Sequence, residues 1–496
     1  MLFNSIEFLI FLPVVFLLYW FVFDKFLGKY KHKLILQNAF VVVASYVFYG
    51  WWDWRFLLLI ALTTLCSWLS GILMRKVEQL KVADEYDVGL QIVRKRKLIA
   101  AINIAINLAI LATFKYYDFF VTEFARLFGL ASDGILLNII LPVGISFYTF
   151  QALSYSIDVY RHKIEPTKDI VAFFAFISFF PQLVAGPIER ATNLLPQFLK
   201  KREFDYNLAI DGSRQILWGL FKKVVIADNC AIVVDQVFSD YANMPASSLL
   251  VGALFFTFQI YGDFSGYSDI AIGTANLFGI KLMRNFNVPY FSRDIAEFWR
   301  RWHISLNTWF RDYVYIPLGG SRTTKIKIIR NTFVIFLLSG LWHGANWTFI
   351  AWGAFHALLF CPLILLGKNR RYTNVVAEDR LLPSVKEGCM MLITFMLVVV
   401  GWIIFRAGTI TDAWYYICGL FDSSLFTIPS ISKRDLIVVP FIVILIVVEW
   451  LNRQESHGLF RVGKLPYIYR YLVYTLIILI IFFMRTAPKA FIYFQF

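Results

Sequence analysis

Apolar runs of spanning length recur along this chain, and short stretches rich in Lys and Arg separate them. A helix that crosses a bilayer needs about 20 apolar residues. Runs of that kind occur at 6–23, 34–50, 56–74, 98–114 and 135–153, and again at 390–405, 436–450 and 471–484. From about 168 to 366 the chain stays apolar but is interrupted by Pro, Gly and charge, which predicts short, tilted and re-entrant helices there. The fold class expected is therefore an all-α polytopic membrane protein. No polar, Ser-rich or Pro-rich linker divides it, so a single integral-membrane domain over 1–496 is expected. The first run, "MLFNSIEFLIFLPVVFLLYWFVF", has no basic n-region and no small-residue cleavage site, and reads as a spanning helix rather than a removable leader.

Composition supports this reading. The chain of 496 residues is 59% hydrophobic and 16% charged, with mean hydropathy +0.64; soluble domains carry about 25% charged residues. A net charge of +15 raises the question of nucleic acid. The charge lies in short loops between apolar runs, as the positive-inside rule expects, and nucleic acid is excluded as a partner. Placing "DKFLGKYKHK", "RKVEQLKVADEYDVGLQIVRKRK", "YRHK", "KKR" (200–202), "RRWH" (300–303), "TTKIKIIR", "KNRR" and "NRQESHGLFRVGK" in the cytoplasm leaves both ends of the chain extracytoplasmic. Cys66, Cys230, Cys361, Cys389 and Cys418 show neither paired nor metal-binding spacing and read as small apolar fillers.

The chemistry concentrates in two segments. "TTKIKIIR" and "KNRR" are both assigned to the cytoplasm, so the apolar stretch 331–366 between them enters the membrane, turns and returns. His343 lies 12 residues past Asn331, about 18 Å along a helix. That is half-way or more into a core about 30 Å thick. "WHGANW" thus predicts a helix break deep in the membrane, which is tolerated only inside protein or beside a wet cavity. Polar residues at that depth suggest function, against the plainer alternative of hydrogen bonds to a neighbouring helix. The second segment, "RDIAEFWRRWHISLNTWFRDYVYIPLGG", reads as one amphipathic helix. Its apolar face would hold Phe298, Trp302, Leu306, Trp309 and Phe310, with His303 on or near the inward side. Lys281, Arg284, Arg293, Arg300, Arg301, Arg311 and Arg322 around it suit an anionic cytosolic ligand, although charge alone does not separate that from positive-inside loops. His356 reads as a structural, hydrogen-bonded histidine. His32, His162 and His457 fall in loops and read as solvated. Asp263 and Asp269 either pair with inward arginines or line a cavity. Phosphate-binding loops and metal-binding His/Glu pairs are missing from the sequence, so an enzyme of this kind would rely on histidine as base.

Long motifs then carry a resemblance. "FWRRWHISLNTWFRDYVYIPLGGSR" followed by "LWHGANWTFIAWGAFHA" is similar to the membrane-bound O-acyltransferases, in particular the bacterial alginate O-acetylation branch related to the teichoic acid D-alanyl transferases. "LPVGISFYTFQALSYSIDVYR", "FPQLVAGPIER" and "FQIYGDFSGYSDIAIG" extend the likeness over nearly the whole chain. The resemblance implies a ring of helices with short re-entrant helices around a central funnel, in a bacterial cytoplasmic membrane. It implies that His343 is the family's membrane histidine, a neutral base, and that His303 is its second histidine. It implies acetyl-CoA as donor, no tightly bound cofactor and no metal. It also implies an extracytoplasmic SGNH-type acetyltransferase or acetyl-accepting partner, with a polysaccharide as final acceptor and membrane lipid all round. The tail "FIYFQF" is expected to fold back against the protein or to dock a partner, with an interfacial aromatic anchor as the plainer alternative, and by analogy with an aromatic companion motif Tyr493 would carry the acyl group. The competing readings are a secondary transporter or lipid-linked flippase, for which no matching interrupted halves are seen, and an inert scaffold for a polysaccharide synthase.

Overall fold

A computed structural model of the chain describes residues 1–26, 33–79, 86–131, 134–487, 489 and 491–492. His32, Tyr493 and parts of the first two basic loops lie outside the described residues. Among those described, every regular element is a helix and there is no strand. Six helical stretches among the described residues are long and apolar enough to cross a membrane, the first being Ile6–Phe23. The Ile6–Leu17 helix starts at Ser5, whose side chain accepts from Phe8 N–H, and it continues as a π-helical turn over Leu18–Phe26. Lys33–Asp53, Leu57–Gln79 and Val385–Arg406 follow the predicted runs closely.

The fifth predicted run needs correction. Residues 135–144 are not helical, and the helix begins only at Ile145 and runs to Tyr160. Pro142 lacks a backbone donor and Gly144 sits at φ 75°, a left-handed conformation that glycine adopts without cost. Hydropathy counted the apolar residues of "ILLNIILPVG" but not this stop. The central region departs from the expectation of short helices in two places: Ala246–Leu277 is a single helix of 32 residues, most of it buried, and Tyr206–Leu220, Phe221–Ala227 and Asp228–Ser239 follow one another without a break. A Cβ at Gly266 would meet the carbonyl of Gly219 at 2.7 Å, and one at Gly262 would meet that of Lys222 at 2.9 Å. Small residues let two membrane helices approach backbone to backbone, and here they seat this helix against the 206–239 segment.

The described residues group into two compact units. The first comprises Met1–Ala209 with Thr274–Met283, and the second Ile210–Gly273 with Arg284–Phe496. Both candidate histidines belong to the second.

Candidate functional site

The helix Lys325–His343 ends at His343, residues 344–346 form the break, and Trp347–Leu365 runs back. Local chemistry explains the turn. Gly344 is extended, and Asn346 caps the returning helix by accepting from Thr348 N–H at 3.0 Å. The two helices pack closely because Gly340 faces the backbone of Phe349 and Gly353 that of Phe336, leaving no room for a Cβ at either. The entering helix has 19 residues, or about 27 Å at 1.5 Å per residue. His343 therefore sits at its far end, enclosed by Trp342, Trp352 and Phe405 with ring centroids 5.0, 5.1 and 5.2 Å away.

The 293–320 segment is not one amphipathic helix with a solvated face. It forms two short helices, Ile295–Arg301 and Ile304–Phe310, which are buried on nearly all sides. His303 joins them at φ 46° and ψ 53°, the left-handed region that a non-glycine residue rarely occupies. Charge is accommodated inside because Glu297 accepts from Arg293 at 3.0 Å and from Arg301 at 2.8 Å, so two of the arginines proposed for an anionic ligand are committed to an internal ion pair. Arg284 donates to the carbonyls of Phe286 and Glu455, and Arg300 to those of Asn369 and Tyr372. Arg311 pairs with Asp312. Arg322 is exposed, and Lys281 belongs to the first compact unit.

His303 and His343 come together through one ring. Trp342 lies 5.6 Å from the imidazole of His303 and 5.0 Å from that of His343. His303 is buried, and neither of its ring nitrogens has a hydrogen-bond partner among the described residues. A polar group in that condition costs free energy unless a ligand or water satisfies it. His356 corrects the expectation of a hydrogen-bonded histidine: it is fully buried among Trp299, Trp352 and Phe336, again without a partner for either nitrogen. Trp352 touches both His343 and His356. His457 corrects the expectation of a solvated loop: it is buried, and its Nε2 lies 3.2 Å from Asp211. His162 is exposed, as expected.

Asp263 and Asp269 pair with lysines rather than arginines. Phe221–Ala227 is a π-helical turn, and it sends two adjacent lysines to different partners. Lys222 meets Asp269 at 2.7 Å and Ser265 at 2.9 Å, beside a cavity of about 20 Å³ that Tyr261, Arg284 and Glu449 also line. Tyr261 donates to Glu449 at 2.7 Å. Lys223 sits between Asp228 and Asp263, 2.8 Å from each. Sequence reasoning passed over both lysines and Glu449. Their signal was available, since a charge inside "LWGLFKKVVIA" or "ILIVVEW" is costly unless paired.

The described part of the tail packs inward, as expected. Phe491 and Ile492 are buried; the Phe491 ring lies 4.9 Å from that of Tyr267 and 5.7 Å from that of Phe264. Phe264 in turn lies 4.6 Å from His303.

Comparison with known proteins completes the picture. Residues 161–385, which include His303 and His343, match the model of the MBOAT, membrane-bound O-acyltransferase family. A probable alginate O-acetylase AlgI of Pseudomonas aeruginosa is 39% identical over 442 residues, covering 88% of this chain and 78% of that protein. The chain belongs to the membrane-bound O-acyltransferase family. A peptidoglycan O-acetyltransferase of Helicobacter pylori is 33% identical, over 88% of this chain and 82% of its own length. A teichoic acid D-alanyltransferase of Streptococcus thermophilus is 30% identical, over 55% of this chain and 70% of its own length. This membrane-bound O-acyltransferase is a multi-pass membrane enzyme, which removes the transporter and scaffold readings.

Proposed function

We propose that this enzyme takes an acetyl group from cytosolic acetyl-CoA and passes it across the bacterial cytoplasmic membrane for O-acetylation of an extracytoplasmic polysaccharide. The observation that carries this reading is buried His343 at a helix break, one tryptophan away from a second buried histidine. The names of the relatives, an alginate and a peptidoglycan O-acetylating enzyme, favour acetyl and a polysaccharide.

In this mechanism the acceptor is the phenol of Tyr493. His343 takes the phenolic proton, and the oxygen attacks the thioester carbonyl. The tetrahedral adduct collapses by breaking the C–S bond, and the imidazolium returns its proton to the departing thiolate. The product is an aryl ester, whose leaving group has a pKa near 10, and is therefore easier to displace than an alkyl ester. The serine of an extracytoplasmic SGNH-type partner removes the acetyl group and sets it on the polymer. No cofactor or metal is needed, and both ends of the chain face outward. Neither His303 nitrogen has a partner among the described residues, which suits a group that contacts donor or acceptor when either is bound.

Purified protein incubated with radiolabelled acetyl-CoA tests the reading. Label is expected on a C-terminal peptide of the wild type and on none from Tyr493→Phe. Wild-type polymer acetylation by Tyr493→Phe would exclude the relay. The sidedness is tested separately at Ser321, which is exposed: Ser321→Cys is expected to react only with reagents admitted to the cytoplasm, and periplasmic labelling would invert the topology.

A further inference from the structure

A groove of about 340 Å³ runs along the flank of the second unit. One wall is a stripe on the Val385–Arg406 helix, where Gly388, Met391, Leu392 and Phe395 recur at helical spacing. Leu445 and Ile446 of the Val439–Leu451 helix form the other wall, and the rings of Phe258 and Tyr290 the floor. The groove is open on its outer side: Leu392 is exposed, and no atom lies within 4 Å of where a Cβ on Gly388 would stand. Its inner side is closed by Tyr261 and Glu449, whose hydrogen bond at 2.7 Å separates it from the small polar cavity that both also line.

The surroundings say what fills such a groove. It lies between two stretches long and apolar enough to cross a membrane, Ala246–Leu277 and Val385–Arg406. Exposed Ile393, Val443 and Val447 flank it, so its mouth opens on hydrocarbon. An alkyl chain moving from bilayer into protein gains little from the hydrophobic effect, because both are apolar; packing and head-group contacts must supply the preference. The Gly388 end supplies the second. Trp450, a ring of the kind enriched at membrane interfaces, stands 5.1 Å from Phe291 of the groove and donates to the carbonyl of Leu381. Arg453 stacks on Trp450 and donates to the carbonyl of Arg380. Exposed Lys386 and Arg380 therefore sit at this end, while the acid there, Glu387, is held by Ser384 and Arg293. That charge suits a phosphate.

We propose that the groove holds one acyl chain of a bilayer phospholipid, with its phosphate at Lys386 and Arg380, as a resident lipid. The lipid is neither donor nor acceptor, because Trp302 stands between the groove floor and His303. The rings of Tyr290 and Tyr261 lie 6.0 and 6.1 Å from that of Trp302. A chain in the groove thus backs the aromatic wall that holds the left-handed turn at His303.

The purified full chain, stripped by detergent exchange, is incubated with dioleoyl phosphatidylglycerol and weighed intact by native mass spectrometry. Wild type is expected to keep one molecule under conditions that remove all others. Gly388→Phe puts a ring into the groove from an open position, and retention should fall about tenfold or more. Lys386→Gln and Arg380→Gln leave the groove intact, and each should lower the preference for phosphatidylglycerol over phosphatidylcholine about fivefold; they decide the matter if Gly388→Phe fails to fold. Equal retention by wild type and Gly388→Phe overturns the groove as the site. Phosphatidylglycerol with six-carbon chains, retained as well as the dioleoyl lipid, overturns an acyl chain as occupant. An unchanged preference in both charge variants overturns the head-group end. Bound lipid is also expected to raise the unfolding temperature of wild type and not of Gly388→Phe; retention without that rise overturns the backing of the wall.

Discussion

The two histidine-bearing breaks in this enzyme are built in opposite ways. At His343 the backbone is relaxed: an extended glycine ends one helix and an asparagine cap begins the next. At His303 the histidine itself occupies the left-handed region, and packing on both flanking helices holds it there. Residues kept in sparsely populated conformations cost about 1–3 kcal/mol and persist where surrounding structure over-determines them. The first break thus places its histidine by local chemistry, the second by tertiary enclosure. The difference also separates the work they are suited to. His343 is at the end of a helix and adjoins a turn, while His303 is locked between Phe264 and Trp342.

Substitutions can sharpen or break that contrast, and the largest effect is expected at His343. His343→Ala should lower acetyl transfer by about 100- to 10,000-fold while membrane insertion persists, as read by blotting of membranes beside the transfer assay. Retention of more than half of wild-type transfer would remove His343 from the chemistry. His303→Ala is expected to lose roughly tenfold, about 1.4 kcal/mol, and His303→Asn, which tolerates the left-handed region, should match it in transfer while unfolding later on heating. Equal losses at His303 and His343 would erase the distinction. Gly340→Ala drives a Cβ into the backbone of Phe349 and should cost about 1–3 kcal/mol of stability, measured by thermal unfolding in detergent. The smallest effect is expected for Asn346→Ala, about 1 kcal/mol from the lost cap, with transfer little changed. A larger loss of activity than of stability there would show that the relaxed break is also a geometric part of the site.

These two breaks differ equally in how far they could be anticipated. "WHGANW" carries its own punctuation, and its turn and the two helices it separates follow from residues next to each other. Nothing in "RRWHIS" signals a break; the amphipathic spacing is genuine, and the left-handed turn exists only because neighbours from 264 to 342 enclose it. The same division runs through the rest of the molecule. Apolar runs marked most spans, yet the run at 135–153 concealed a stop at Pro142 and Gly144. The charges were the least legible. Lys222, Lys223 and Glu449 are made affordable by Asp269, Asp263 and Tyr261, and a partner distant along the chain leaves no local trace.

The π-helical turn at Phe221–Ala227 has a mechanical consequence of its own. Such a turn amounts to one residue more than an α-helix of the same rise would hold. It therefore acts as a phase shift of about 100° between the helix before it and the helix after it. Removing one residue from this turn would restore a regular helix and leave every other side chain intact. It would also rotate one helix face against the other, so that Lys222 and Lys223 could no longer meet Asp269 and Asp263 together. The spare residue is the part that keeps two polar devices, one at the cavity and one at Asp263, in step on a single rod.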